Sequence, residues 1–160
     1  MKTFVFFSPT FGRLSLQEVK EKISKFISKD KNSQYRIIIG SDSQRVAKEK
    51  YDFVSAIIIH RIGSGGIYFW RKETKKKKMS LKERIYQEAI MSLDTSEKLI
   101  DFFKKNGIPR YKVQIHVDIG SRGETRELIS EVTSLILSSG YEVKIKPEAV
   151  GASKVADKHT

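Results

Sequence analysis

Apolar residues recur at helical spacing near the start of the chain. Five of them fit one buried face of a helix: Leu16, Val19, Ile23, Phe26 and Ile27. Ser15 is followed three residues later by Glu18, which is the pattern of a capping box. The sequence therefore predicts a helix that begins after Ser15 and ends near Lys29, with a polar loop over residues 29–34.

Three runs of β-branched and aromatic residues then predict three strands in an antiparallel meander. Residues 37–42 are apolar on both faces as far as Asp42, which is typical of a central strand that is covered on both sides. The second predicted strand covers residues 53–62 and the third covers residues 67–71. The glycine-rich residues 63–66 between them form the predicted hairpin turn.

Helices and strands alternate in the second half. Ser80 and Glu83 begin a predicted helix that ends at residues 106–107, with a break near residues 94–96. Residues 113–119 predict a strand, a helix follows up to Gly140, and residues 141–145 predict an outer strand. A strand–helix–strand unit implies parallel pairing. We therefore predict an α/β fold with a mixed five-stranded sheet, made of the three-strand antiparallel meander plus two parallel strands, with helices on its faces.

The composition excludes several classes of protein. The 160 residues include 31 lysines and arginines and 19 aspartates and glutamates, which gives a formal net charge of +12, and there is no cysteine. A disulfide framework, a zinc ribbon and a thiol nucleophile are thereby excluded. No apolar run approaches the ~20 residues that span a bilayer. We expect one domain over residues 1–160, with residues 1–31 as an N-terminal extension containing one helix, in a cytoplasmic protein without a membrane partner. The positive charge favours nucleic acid as the partner.

Two aspartates lie where strands disfavour carboxylates. Asp42 ends the most hydrophobic predicted strand, and Asp118 lies near the end of the fourth. Burying a carboxylate without compensation is costly, although each aspartate alone is equally well explained as a cap of the turn or helix that follows it. If the first and fourth strands are parallel neighbours, both carboxylates lie at one edge of the sheet, where open α/β sheets bind ligands.

Glu88 is a third candidate, because it lies on the apolar stripe of its predicted helix. A glutamate that points inward needs a partner. That partner is either Arg84, at the boundary of the stripe, or a metal ion shared with Asp42 and Asp118. Asp157 is a fourth candidate, or else a solvated charge near the C-terminus.

Converging carboxylates raise one another's pKa values. Mg²⁺ or Mn²⁺ relieves this repulsion, because hard cations prefer oxygen ligands. Two such ions, roughly 3.5–4 Å apart, activate a water and stabilise the leaving oxygen in phosphodiester hydrolysis. The acids thus favour a divalent-metal-dependent nuclease that acts on RNA, DNA or a hybrid. The alternative is a nucleic-acid-binding module without catalysis.

Basic residues next to aromatic ones suggest a surface for nucleic acid, because such clusters bind phosphates and stack bases. Tyr68 and Trp70 adjoin the candidates Arg71, Lys72, Lys75, Lys76, Lys77 and Lys78. A solvated loop beside core aromatics explains the cluster equally well. Arg122 lies in a glycine-containing loop whose N–H groups can hold a phosphate at a helix start. The phenylalanine-rich residues 4–11 are expected to pack on the domain or against a second subunit of a homo-oligomer.

Three segments carry a resemblance to a known family: residues 38–44 (IIGSDSQ), residues 116–120 (HVDIG) and residues 146–157. Together they resemble the YkuK family of ribonuclease-H-like proteins, whose function is unknown. The resemblance implies a ribonuclease-H-like fold, which agrees with the predicted order of elements. It also implies that Asp42, Glu88, Asp118 and Asp157 are the site acids. Because the chain ends three residues after Asp157, His159 is an alternative for the last position.

Overall fold

A computed structural model describes residues 4–120, 126–146, 148–149 and 159 of the chain. They contain seven strands: β1 (Val5–Ser8), β2 (Gly12–Ser15), β3 (Tyr35–Ala47), β4 (Lys50–Arg61), β5 (Gly66–Lys76), β6 (Val113–His116) and β7 (Glu142–Lys144). All belong to one sheet in the order β2-β1-β5-β4-β3-β6-β7. The predicted antiparallel meander is present as β3, β4 and β5, and β6 pairs in parallel with both β3 and β7. The predicted mixed α/β class is therefore confirmed.

The described residues also form four α-helices: α1 (Leu16–Ser28), α2 (Leu81–Glu97), α3 (Ile100–Lys105) and α4 (Ile129–Ser138). Short 3-10 helices cover Arg110–Lys112 and Arg126–Leu128. Both predicted capping boxes are present, with Ser15 and Ser80 as the N-cap residues. The break predicted at residues 94–96 lies instead at residues 98–99, between α2 and α3. None of these helices is long and apolar enough to span a membrane.

The predicted number of five strands is wrong, because the phenylalanine-rich N-terminus adds a hairpin to the sheet. β1 and β2 pair with each other, and Phe7 of β1 aligns with Trp70 of β5. Gly12 allows the turn with a φ of 73°, and the Ser8 hydroxyl accepts hydrogen bonds from N–H groups of that turn. Phe6 is fully buried. These phenylalanines thus pack within the chain, and their predicted role in a homo-oligomer is not supported.

The strands of the meander are longer than their apolar runs. β3 continues past Asp42 to residue 47, and β5 continues past residue 71 to residue 76. β4 lies between these extensions and pairs with both, and Thr74 Oγ1 of β5 donates a hydrogen bond of 2.7 Å to Asp52 Oδ1 of β4. Asp42 therefore lies inside a strand rather than at its end. Lys75 and Lys76 belong to the sheet rather than to a loop.

The main core lies on the side of the sheet that faces the helices. Ile37 and Ile39 of β3 are fully buried there, with Ile115 of β6 and Phe103 of α3 in the same cluster. Side chains alternate between the two faces along a strand. The odd-numbered residues of β3 therefore point toward the helices, and the even-numbered ones point to the opposite face.

Candidate active site

The parallel pairing of β3 with β6 gives Asp42 and Asp118 equivalent positions. Gly40 of β3 aligns with His116, the last residue of β6, and each aspartate follows two residues later. Asp118 lies in a bend just past the end of its strand, so the paired ladder with β6 ends before Asp42. Both aspartates are half-buried. The sequence left open whether these two strands are parallel neighbours. The structure pairs them in this way, and both aspartates lie two residues past the last aligned pair, Gly40 and His116.

Glu88 points inward from α2, and its side chain is only 9% exposed. Ser43 Oγ donates a hydrogen bond of 2.5 Å to Glu88 Oε2. Burial raises the pKa of Glu88 from 4.5 to about 8, against the hydrogen bond from Ser43 and the charge of Arg84, which lower it. The negative charges of Asp42 and Asp118 raise this pKa further. The carboxyl group is therefore largely protonated at neutral pH, and it senses both aspartates.

Arg84, one of the two alternative partners that the sequence allowed for Glu88, makes its hydrogen bonds to Ser43 instead. Its Nε donates to Ser43 Oγ at 3.2 Å, and its Nη2 donates to the Ser43 carbonyl at 2.9 Å. Ser41, two residues earlier on β3, hydrogen-bonds through Oγ to Ser92 Oγ of α2 at 2.7 Å. Both serines therefore face α2. The sequence reasoning missed them, although the alternation Ser41-Asp42-Ser43 signals two polar contacts on the side opposite Asp42.

Lys146 is a third residue that the sequence reasoning missed. Its Nζ lies 2.7 Å from Asp118 Oδ1. Backbone bonds of 2.9 Å, from Val117 N to the Lys144 carbonyl and from Lys146 N to the Ile119 carbonyl, hold the two segments together. The pair thus places a positive charge on the carboxylate that was predicted to bind metal.

Glu88 senses the charges of both aspartates, yet Glu88 and Asp118 are held by different partners. In the parts of the chain that the structure describes, no group of three or more histidine, aspartate or glutamate side chains is close enough to hold a metal ion. Ser43 holds Glu88, and Lys146 holds Asp118. The chemistry of the donor set, three carboxyl groups of which Glu88 senses the charges of the other two, nevertheless fits a hard divalent cation.

Comparisons with known proteins bear on this arrangement. Residues 18–160 match the family described as ribonuclease H-like. The chain belongs to this family. It is also similar to the protein named Uncharacterized protein YkuK of Bacillus subtilis (strain 168), with 32% identity over 170 residues that cover 99% of this chain and 98% of the relative. The predicted resemblance is thereby confirmed, together with the ribonuclease H-like character of the fold.

The fourth acid that the ribonuclease H-like resemblance implies, Asp157, lies outside the described residues. His159 is described, and its ring stacks on Trp70 of β5 with centroids 4.4 Å apart and planes 12° apart. Its Nε2 lies 3.2 Å from the hydroxyl of Tyr68. Trp70 aligns with Ala56 of β4, which aligns with Gly40 of β3. His159 therefore covers a point two strands from β3, roughly 10 Å at the usual strand spacing. Its role as a ligand stays a prediction.

The predicted basic surface divides into buried and exposed members. Arg71 is only 3% exposed, and its donors are engaged by Thr95 at 3.0 Å, Glu73 at 2.8 Å and Asp94 at 3.2 Å. This burial counts against the predicted contact of Arg71 with nucleic acid. Four lysines of the cluster are exposed: Lys72, Lys76, Lys77 and Lys78.

Lys75 and Arg122, which were also predicted to contact nucleic acid, differ from the exposed lysines. Lys75 is half-buried, and its Nζ donates a hydrogen bond of 3.1 Å to Gln87 of α2. Together with Lys77 and Lys82 it lines a cavity of about 340 Å³ between β5 and α2. Arg122 lies outside the described residues. The basic surface of this ribonuclease H-like chain thus adjoins the helix that carries Glu88.

Proposed function

We propose that this chain is a divalent-metal-dependent nuclease that hydrolyses phosphodiester bonds in RNA, DNA or a hybrid. The observation that carries the proposal is the buried carboxyl of Glu88, whose pKa of about 8 is due first to burial and is raised further by Asp42 and Asp118. An inward-facing acid beside two others stores electrostatic energy that a cation would release. The ribonuclease H-like family supports the same chemistry by analogy.

Asp42, Glu88 and Asp118 would hold Mg²⁺ or Mn²⁺, with Asp157 as the proposed fourth ligand. Such ions, when bound, activate a water and stabilise the leaving oxygen of the phosphodiester. Ser43, which hydrogen-bonds Glu88 Oε2, would orient the Glu88 carboxylate once it has lost its proton. Lys146 would leave Asp118 and become free to contact a phosphate.

The substrate would bind along the exposed lysines of the cluster. Residues 76–78 and Lys72, whose Nζ lies 3.9 Å from Asp52 Oδ2, supply exposed positive charges, and phosphate contacts of this kind position a strand without reading its sequence. The formal net charge of +12 favours the approach of a polyanion at low salt. The same helix, α2, then joins the basic surface to Glu88.

A nucleic-acid-binding module without catalysis is the second candidate. The ion pair of 2.7 Å between Lys146 Nζ and Asp118 Oδ1 favours it. An ammonium group there supplies the positive charge that a metal ion would otherwise bring. In that case the acids would be structural, and binding would depend on salt but not on divalent metal.

Cleavage assays with RNA, DNA and hybrid substrates, in Mg²⁺ or Mn²⁺ and in EDTA, distinguish the two. A nuclease loses activity in EDTA and in the variants Asp42→Asn and Asp118→Asn. The matched control is Asp101→Asn, which removes an exposed carboxylate from α3 and should leave the rate unchanged. Activity that survives both site substitutions would overturn the assignment of the acids. Metal-independent binding without cleavage would support the second candidate.

A further inference from the structure

A cavity of about 590 Å³ opens at the end of the sheet opposite the acids. It lies where β3, β6 and β7 begin, and its lining includes Arg36, Gln114 and Glu142 from these strands. Arg36 precedes Asp42 by six residues on the same strand, which corresponds to roughly 20 Å. The cavity is therefore separate from the candidate active site. Its volume lies in the range of about 300–1,000 Å³ typical of small-molecule sites.

One tyrosine hydrogen bond and one backbone hydrogen bond fix the walls of the cavity. Tyr35 Oη donates to the carbonyl of Asp30 at 2.6 Å, which fastens the loop after α1 to the start of β3. Ile62 N donates to the Gln34 carbonyl at 2.9 Å and closes the wall formed by the end of β4. A ligand would thus meet a largely preformed cavity, which lowers the entropy lost on binding.

The mouth of the cavity is positively charged. Lys31, Arg36 and Lys112 are exposed and line it, and within the described part of the chain no ion pair engages any of the three. The one acid among the lining residues, Glu142, already pairs with Lys144 Nζ at 3.1 Å. The field at the mouth therefore attracts anions.

Two of these cations are neighbours across the sheet. Ile37 of β3 aligns with Val113, the first residue of β6, and Arg36 and Lys112 come immediately before them. Arg36 belongs to β3, whereas Lys112 is the last residue of the 3-10 helix Arg110–Lys112. Like charges on such neighbouring segments repel each other. An anion bound between the two side chains would remove that repulsion.

Apolar surface adjoins the charges. Tyr111 is 68% exposed and Ile62 is 45% exposed, and both line the cavity. An exposed aromatic ring beside cations matches a ligand that has both a flat ring and a phosphate, because bases stack on aromatic side chains while Lys and Arg bind phosphate oxygens. The amide side chains of Gln34 and Asn106, which also line the wall, offer donors and acceptors for a base edge.

We propose that this cavity binds a nucleotide, with its phosphate between Arg36 and Lys112 and its base on Tyr111. The site goes beyond the proposed nuclease function, because it needs neither the three acids nor a metal ion. Two ligands present the same base and phosphate: a free mononucleotide, or one nucleotide of a strand that extends along the sheet toward the acids.

Isothermal titration of the full chain with adenosine monophosphate in EDTA tests the proposal, with inorganic phosphate as the second probe. Removing two charge-assisted contacts in Arg36→Ala/Lys112→Ala is expected to weaken nucleotide binding at least about tenfold. The matched control Arg13→Ala/Lys104→Ala removes the same charge from exposed residues that do not line this cavity and should change affinity less than about twofold. Tyr111→Ala should weaken binding of the nucleotide roughly fivefold and leave phosphate unaffected, whereas Tyr111→Phe should retain both.

A labelled oligonucleotide distinguishes the two sources. If the oligonucleotide binds and adenosine monophosphate displaces it, the bound nucleotide comes from a strand. If only the mononucleotide binds, it comes from the free ligand. Equal losses in the test and control variants, or phosphate that binds as tightly as the nucleotide, would overturn the proposal. Asp42→Asn/Asp118→Asn, tested in parallel, should bind the nucleotide normally, so a failure of the nuclease proposal is distinguishable from a failure of this one.

Discussion

Replacing Glu88 by glutamine is expected to change how stability depends on pH. Burial raises the pKa of this carboxyl from 4.5 to about 8 in the folded chain. A group whose pKa is raised on folding keeps its proton more firmly in the folded state. The contribution of Glu88 to the free energy of unfolding is therefore fully present below about pH 4.5, and it is lost as the pH rises through about 8. Glutamine cannot ionise, so the variant should not show this loss.

The size of the effect follows from the two pKa values. Their difference, between 4.5 and about 8, corresponds to roughly 4–5 kcal/mol of unfolding free energy at ~1.36 kcal/mol for each pKa unit. Glutamine has nearly the same volume and still accepts the hydrogen bond from Ser43 through its amide oxygen. The variant and the wild type should therefore have similar stability near pH 4.5. Above pH 8 the variant should be more stable by roughly 4 kcal/mol.

Urea denaturation followed by circular dichroism measures this difference at pH values from about 4.5 to 9, in EDTA. Glu21→Gln is the control, since Glu21 is exposed on α1. Other groups that titrate in both proteins cancel in the comparison. Mg²⁺ added at high pH should stabilise the wild type more than the variant, because only the wild type has a third carboxylate to offer it. Parallel pH profiles for Glu88→Gln and the wild type would refute the reasoning.

Three further predictions follow from contacts in the structure. Ser43→Ala removes a hydrogen bond that lowers the pKa of Glu88, so the pH-dependent loss should move to higher pH and the unfolding free energy should fall by about 1 kcal/mol; an unchanged denaturation profile would contradict this. Arg71→Met removes a buried guanidinium from its ion pairs with the partly exposed Glu73 and Asp94 and should cost about 2 kcal/mol in urea denaturation, while the salt dependence of nucleic-acid binding stays the same; a shallower salt slope would restore Arg71 to the binding surface. His159→Ala removes the ring stacked on Trp70, the one tryptophan of the sequence, so its fluorescence should shift to longer wavelength and acrylamide should quench it more; an unchanged spectrum would argue against the stacking.

The helices and their beginnings could be predicted because their signals are local. The capping boxes at Ser15 and Ser80 depend on residues only three positions apart, and the apolar stripe of α1 repeats within one segment. The position of Glu88 on an inward stripe also follows from helical periodicity. Its burial was therefore predictable, although its partner was not.

The strands were harder to predict, because pairing is set by residues far apart in the chain. Val5–Ser8 shows no alternation in the sequence, and it becomes a strand because β2 and β5 offer it neighbours. The polar end of β3 beyond Asp42 stays extended because β4 pairs with it. A propensity scale cannot detect either case, since context overrides strand propensity.

The sequence by itself determined the mixed α/β class, the family and the helix that carries Glu88. Each of these depends on short-range periodicity, chain order or recognisable segments. Only the tertiary structure decided that Ser43 holds Glu88, that Lys146 holds Asp118 and that Arg71 is buried. Side-chain partners of this kind come from segments far apart in the chain, so no local pattern shows which polar groups the fold will bring within hydrogen-bonding distance.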